Sequence, residues 1–159
     1  MQRRDLILGT TAVLTGGVLP LTALAHHGWS SFDESRPLYL SGKVKAVKWQ
    51  NPHAEISVAV AADAALPGDL AQRSVPAQTA NVDGPKVLAA ARLPQRRGDW
   101  TIELSPMTRI SAWKVPQPKV GDTVAAVAYT FPDEKGEMFA RVEYLIIGQQ
   151  LYGLRSNPA

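Results

Sequence analysis

The sequence of 159 residues contains no cysteine, and this absence removes several kinds of chemistry at once. Without thiols the chain cannot form disulfides, thiolate zinc sites or iron–sulfur clusters, and it cannot use a cysteine nucleophile. Two hydrolase motifs are missing as well, Gly-x-Ser-x-Gly and His-Glu-x-x-His. We therefore predict a protein that is not an enzyme and has no catalytic residues.

The chain also lacks a large excess of charge of either sign. The chain has 17 basic and 14 acidic residues, a net charge of +3, and only 19% charged residues in all. Such a small and scattered excess of positive charge is not typical of nucleic-acid-binding proteins. The hydrophobic fraction of 45% is enough for a buried core, and the length fits about one domain.

The first 25 residues have the pattern of an export signal. Arg3 and Arg4 precede an uncharged apolar stretch, which ends in Ala23-Leu24-Ala25, a typical cleavage site. We expect residues 1–25 to be removed, so that the mature protein lies in the periplasm without an integral membrane span. The paired arginines also resemble a twin-arginine signal, and the general secretory route stays open.

After a short N-terminal arm at 26–36, alternation of apolar and polar residues predicts three β-strands, and turn residues at Gly121-Asp122 and 132–136 bound two more. The first strand, Leu38 to Trp49, changes parity midway, which predicts a β-bulge downstream of Gly42. Ser105 is the expected N-cap of a short helix between strands three and four. The other predicted strands are Ile56 to Val60, Trp100 to Leu104, Thr123 to Phe131 and Glu137 to Ile147.

This order predicts a mostly β protein, a small five-stranded OB-like barrel with one short helix between strands three and four. A half-open β-sandwich is the alternative. The barrel domain spans 37–159 and carries an insertion at 62–98 that is rich in Ala, Pro, Asp and Gln. We expect this insertion to be a mobile excursion at a hairpin tip outside the core, with two helical turns between Lys86 and Leu93.

Three histidines suggest a metal site. Cleavage after Ala25 gives His26 a free α-amine beside its imidazole, and His27 or His53 can supply a third nitrogen. All-nitrogen sets of this kind suit Cu(II), so copper is the expected cofactor. His53 is the better third ligand because it stands at the start of strand two, on the face opposite the predicted core. Solvated histidines without a metal are the alternative.

Several motifs resemble a family of small exported bacterial proteins known only as a domain of unknown function. The shared features are His-His at the mature start, Trp49-Gln50-Asn51-Pro52-His53, Trp100-x-x-Glu103 and a Gly-Asp turn. The resemblance implies export and a small barrel, and no established activity. It also implies that Trp49, Asn51 and Glu103 are ligand-binding positions beside His53.

Two functions remain open at this point. One is an exported protein that binds copper through His26, His27 and His53. The other is a non-enzymatic OB-type module that binds a small ligand or a partner protein near Trp49, Asn51 and Glu103. A copper oxygenase with a terminal histidine is disfavoured, because the mature chain leaves little room for a substrate platform.

Overall fold

The computed structural model describes residues 28–159, which form six β-strands and two short α-helices. Residues 1–27 lie outside the described part of the chain, and with them the predicted signal segment, His26 and His27. The strands are β1 (Leu38–Lys48), β2 (Glu55–Val60), β3 (Gly98–Glu103), β4 (Thr123–Thr130), β5 (Phe139–Ile147) and β6 (Gln150–Gly153). The helices are α1 (Gly84–Ala90) and α2 (Met107–Ala112).

The first five strands close into a barrel. β1 pairs with both β2 and β4, while β3 continues from β2 and β5 from β4, all antiparallel. The barrel closes where β3 and β5 run parallel over three residue pairs, ending at Glu103 and Arg141. With α2 between β3 and β4, this confirms the predicted five-stranded OB-like barrel.

β1 serves two neighbours because it bends. Its first half pairs with β4 and its second half with β2, and the register shifts between Val44 and Ala46. The predicted bulge is therefore confirmed. A Cβ atom at Gly42 would lie 1.8 Å from the carbonyl oxygen of Ala59, so this close crossing of strands requires glycine.

The barrel interior is filled by the apolar residues that the alternation predicted. Trp100 is fully buried, and its indole nitrogen donates a hydrogen bond to the Arg96 carbonyl at 3.1 Å. A buried indole needs such a partner to avoid a desolvation cost. The cluster also contains Leu40, Val44, Ile56, Val58, Ile102, Ala126, Ala140, Val142 and Leu145.

Segment 62–98 packs against the outside of the barrel. Leu70, Leu88 and Ala91 are buried in a second apolar cluster, which the segment shares with β1, β4, β5 and β6. We expected this segment to lie outside the core. Instead, its apolar residues are buried against the barrel, because β4 and β5 bury residues on both faces. α1 overlaps the helical turns that were predicted between Lys86 and Leu93. The mobility of the segment stays a prediction. The barrel side of the cluster consists of Tyr39, Ala125, Val127, Tyr144, Ile146 and Leu151.

The start of α2 differs from its prediction. Ser105 still pairs with Ala54 through its backbone, as an extension of the β2–β3 hairpin, so Pro106 occupies the N-cap position. The Met107 amide donates instead to Asn51 Oδ1 at 3.3 Å, and the predicted Ser105 cap is wrong. Both helices are short, and none within residues 28–159 is long and apolar enough to cross a membrane.

Candidate ligand and metal site

A groove of about 330 Å³ opens at the end of the barrel where β3 and β5 meet. We call it the His53 groove. Its walls come from the N-terminal arm, the approach to β2, the end of β3, α2 and β5. The lining includes Gly28, Trp29, His53, Glu103, Leu104, Ser105, Pro106, Arg109, Arg141 and Leu154. Its volume is in the range of small-molecule sites.

His53 and Glu103 are adjacent in this groove. The β2–β3 hairpin pairs Glu55 with Glu103, which leaves His53 beside the end of β3. His53 Nδ1 lies 3.6 Å from Glu103 Oε2, and this nitrogen is buried although the side chain is 23% exposed. The accessible part of the ring is therefore remote from Nδ1.

Arg141 holds Glu103 in place. Glu103 Oε1 accepts a hydrogen bond from Arg141 Nε at 2.7 Å and a second contact from the Nη2 group. The two residues are paired in the parallel register of β3 and β5, so the closure of the barrel brings them together. Both side chains are about nine-tenths buried, and a buried carboxylate of this kind requires such a charged partner.

Trp29 anchors the N-terminal arm beside the groove. Its ring lies between two guanidinium groups, that of Arg155 at 3.9 Å and that of Arg141 at 5.2 Å from the ring centroid. Such cation–π contacts are attractive. Phe32 adds a stacked contact with Phe131, at 5.3 Å between centroids. These contacts fix the course of the arm and bring Gly28 into the groove wall.

The predicted site residues do not all meet. Glu103 lines the groove beside His53, whereas Trp49 packs against the barrel core and Asn51 binds the first amide of α2. His26 and His27 fall outside the described residues. Within residues 28–159, no group of three His, Cys, Asp or Glu side chains is arranged to hold a metal ion.

The sequence prediction missed three groove residues: Ser105, Arg109 and Arg141. Arg141 alternates with Glu143 in the otherwise apolar strand β5, and buried charges at such positions could have been flagged. Ser105 was assigned to a helix cap, and nothing in the sequence marked Arg109. Neither Ser105 Oγ nor Arg109 Nε has a hydrogen-bond partner in the described part of the chain.

Arg109 carries a poorly compensated charge. Its Nη1 group donates to the Leu154 carbonyl at 3.1 Å, and no ion pair with a carboxylate accompanies this bond among residues 28–159. Burial lowers the pKa of the guanidinium below its usual value. The side chain stays protonated at neutral pH, because arginine has a very high pKa.

Part of the chain is similar to a family without a known activity. Residues 16–84 match the model of a family of unknown function (DUF6152), which confirms the expected similarity to a domain of unknown function. The matched range contains His53, whereas Glu103, Arg109 and Arg141 lie beyond it. No curated protein and no solved structure matches the chain.

Proposed function

We propose that the protein, similar to that family of unknown function, is an exported, periplasmic protein that binds copper through His26 and His53. One observation carries the proposal. His53 stands against Glu103 in a groove whose wall also contains Gly28, two residues after His26.

The reach of the chain supports this pairing. Two residues span at most about 7 Å, so a mature terminus at His26 is within a short distance of Gly28 and the groove. Cleavage after Ala25 gives His26 an α-amine and an imidazole that chelate one ion. The α-amine has a pKa near 8, which a metal can displace at neutral pH.

Glu103 acts as a positioning residue in this proposal. Histidine ligands commonly direct one ring nitrogen to a carboxylate, which orients the ring and favours the tautomer that binds metal through the other nitrogen. Glu103 lies on the Nδ1 side of His53, so the proposal assigns the ion to the other ring nitrogen, Nε2. Because Arg141 engages the carboxylate, Glu103 itself is a weak candidate ligand. The nitrogen donors then favour Cu(II), and His27 is the alternative third ligand.

The experiment is a Cu(II) titration of mature protein, followed by calorimetry and by the d–d absorption band. Intact mass must first confirm a start at His26. We expect one tight site, a clear loss of affinity in His53→Ala and a smaller loss in His27→Ala. One extra residue before His26 should also weaken binding, since it moves the amine out of the chelate ring. Equal affinity in wild type and His53→Ala would contradict the proposed site.

A non-enzymatic OB-type module that binds a small ligand or partner protein is the second candidate. The His53 groove favours it, because the groove combines an aromatic ring, apolar walls and charged groups in a volume suited to a small molecule. Failure of every copper titration, with an intact mature terminus, would favour this function.

A further inference from the structure

We propose that the His53 groove binds a small organic carboxylate, whose carboxyl group is held by Ser105 Oγ and Arg109 Nε. This inference goes beyond copper binding, because it involves other residues of the groove and requires no metal. It assigns a ligand class to residues that no sequence motif singled out.

Two unpartnered donors point to a ligand. Ser105 is 1% exposed, and its hydroxyl has no hydrogen-bond partner in the described residues. The same holds for Arg109 Nε, four residues further on. Buried polar atoms are nearly always paired in proteins, so two unpaired buried atoms on residues that line one groove are unusual. Both groups can donate a hydrogen bond, and an oxyanion can accept from both.

The charge of the groove favours a ligand with a single negative charge. Among the arginine and carboxylate side chains that line the groove, Arg109 and Arg141 contribute two positive charges and Glu103 one negative charge, which leaves one positive charge to balance. Because Glu103 forms an ion pair with Arg141, the uncompensated positive charge is that of Arg109. Inorganic phosphate carries between one and two negative charges at neutral pH, and its second charge would meet the Glu103 carboxylate without a partner.

The walls favour an organic ligand over a bare ion. The Trp29 ring, Leu104, Pro106 and Leu154 border the same space as the two donors. An apolar body attached to the carboxyl group would remove water from these surfaces, which is favourable. Burial also lowers the pKa of Arg109, so a bound anion would stabilise a cation that the protein alone solvates poorly.

The test is a titration of mature protein, freed of metal by a chelator that is then removed by dialysis, with benzoate, benzamide and inorganic phosphate. Calorimetry gives the affinities, and amide chemical shifts locate the site. We expect saturable benzoate binding, with benzamide weaker by about tenfold or more, as expected for loss of a charge-assisted hydrogen bond. Phosphate should also bind more weakly than benzoate, because it has no apolar body and its second charge meets Glu103. Equal affinity for benzoate and benzamide, tighter binding of phosphate, or no saturable benzoate binding would each overturn the proposal.

Variants separate binding from stability. Arg109→Gln should weaken benzoate by about tenfold or more, and Arg109→Lys, which keeps the charge and loses Nε, should also weaken it. Arg73→Gln removes a similar charge in segment 62–98 and should leave the affinity unchanged. Ser105→Ala should weaken benzoate while the melting temperature of the free protein stays the same or rises, because an unpaired hydroxyl is removed. A fall in melting temperature with unchanged affinity would overturn the assignment of Ser105.

Because the chelator removes copper, this titration and the copper titration fail independently. Benzoate binding without Cu(II) binding would leave the carboxylate site standing and reject the metal site. Cu(II) binding without benzoate binding would do the reverse.

Discussion

Two buried carboxylates bind arginines in this molecule, and their surroundings differ. Glu103 binds Arg141 at 2.7 Å and borders the open His53 groove, with His53 3.6 Å away. Glu143 binds Arg155 at the same distance but is completely buried. The same kind of ion pair therefore borders a groove at Glu103 and lies in the interior at Glu143. We call the Glu143–Arg155 pair and its neighbours the enclosed junction.

The enclosed junction joins distant parts of the chain. Gln78, from segment 62–98, donates to Glu143 at 3.3 Å, and Arg155 reaches Glu34 in the N-terminal arm at 2.6 Å. Burial raises the pKa of the Glu143 carboxyl above its usual value, while the hydrogen bond from Arg155 opposes this. Glu143 is completely buried with Arg155 and Gln78 as side-chain partners, whereas Glu103 borders a groove with room for a ligand.

Removing the arginine of the enclosed pair should have the largest effect. Arg155→Met leaves Glu143 buried without its cation, so we expect the free energy of unfolding to fall by about 3 to 5 kcal/mol in urea denaturation. Arg141→Met should cost less, because its carboxylate partner borders the groove and can be hydrated. Arg73→Met, whose partner Asp69 is exposed, is the control and should change stability little. An Arg155→Met effect no larger than this control would contradict the enclosed junction.

The packing of segment 62–98 against the outer face of the barrel can be tested by shortening one of its buried side chains. Leu88 is 2% exposed, so Leu88→Ala should lower the free energy of unfolding by about 2 to 4 kcal/mol in urea. Leu66 belongs to the same segment but is 40% exposed, and Leu66→Ala should have little effect. Equal, negligible effects of the two substitutions would instead support the predicted mobile insertion.

A substitution at Asn51 should have a smaller effect, and it should distinguish a role in stabilising the start of α2 from a role in ligand binding. Asn51→Ala removes the acceptor of the first α2 amide, so we expect a loss of about 1 kcal/mol in stability. Affinity for Cu(II) and for benzoate should change little, since Asn51 lies outside the groove lining. Asn81→Ala, at an exposed position without a cap role, is the control. A large loss of ligand affinity with unchanged stability would make Asn51 a binding residue.

The smallest effect that we expect is a pH dependence, because Arg155 offsets part of the burial cost at Glu143. A raised pKa in the folded state means that folding favours the protonated carboxyl. Its stabilising contribution is complete below the ordinary value of about 4.5 and is lost as pH rises through the raised pKa. The stability of wild type relative to Glu143→Gln should therefore decrease from pH 4.5 upward in urea titrations. A difference that increases with pH would mean that the pKa is lowered instead.

Much of the barrel could be predicted because β2 and β3 alternate apolar and polar residues, while turn residues bound the apolar runs of β4 and β5. Even the β1 bulge left a visible trace, a change of parity after Gly42. β6 could not be predicted, because four residues after the Gly148 turn give too short a pattern. The apolar residues of segment 62–98 have no regular spacing, so the burial of Leu88 depends on an outer barrel face that only the tertiary structure reveals.

The candidate site could be predicted only in part. His53 and Glu103 were found because both stand in distinctive motifs, and the hairpin between them brings the motifs together. The pairing of Glu103 with Arg141 depends on the parallel contact between β3 and β5, which is a long-range feature without a local signal. Asn51 was assigned to ligand binding through the family resemblance. Its contact with α2 could not be foreseen, because it spans more than fifty residues of sequence.

The most direct test of the copper site is electron spin echo spectroscopy of Cu(II)-loaded mature protein. The method detects the remote nitrogen of each coordinated imidazole, so it counts histidine ligands. We predict a signal from two imidazoles in wild type and from one in His53→Ala, with the wild-type signal retained in Asn51→Ala. Identical spectra of wild type and His53→Ala would show that His53 does not bind the metal, and would contradict the account of the groove as a copper site.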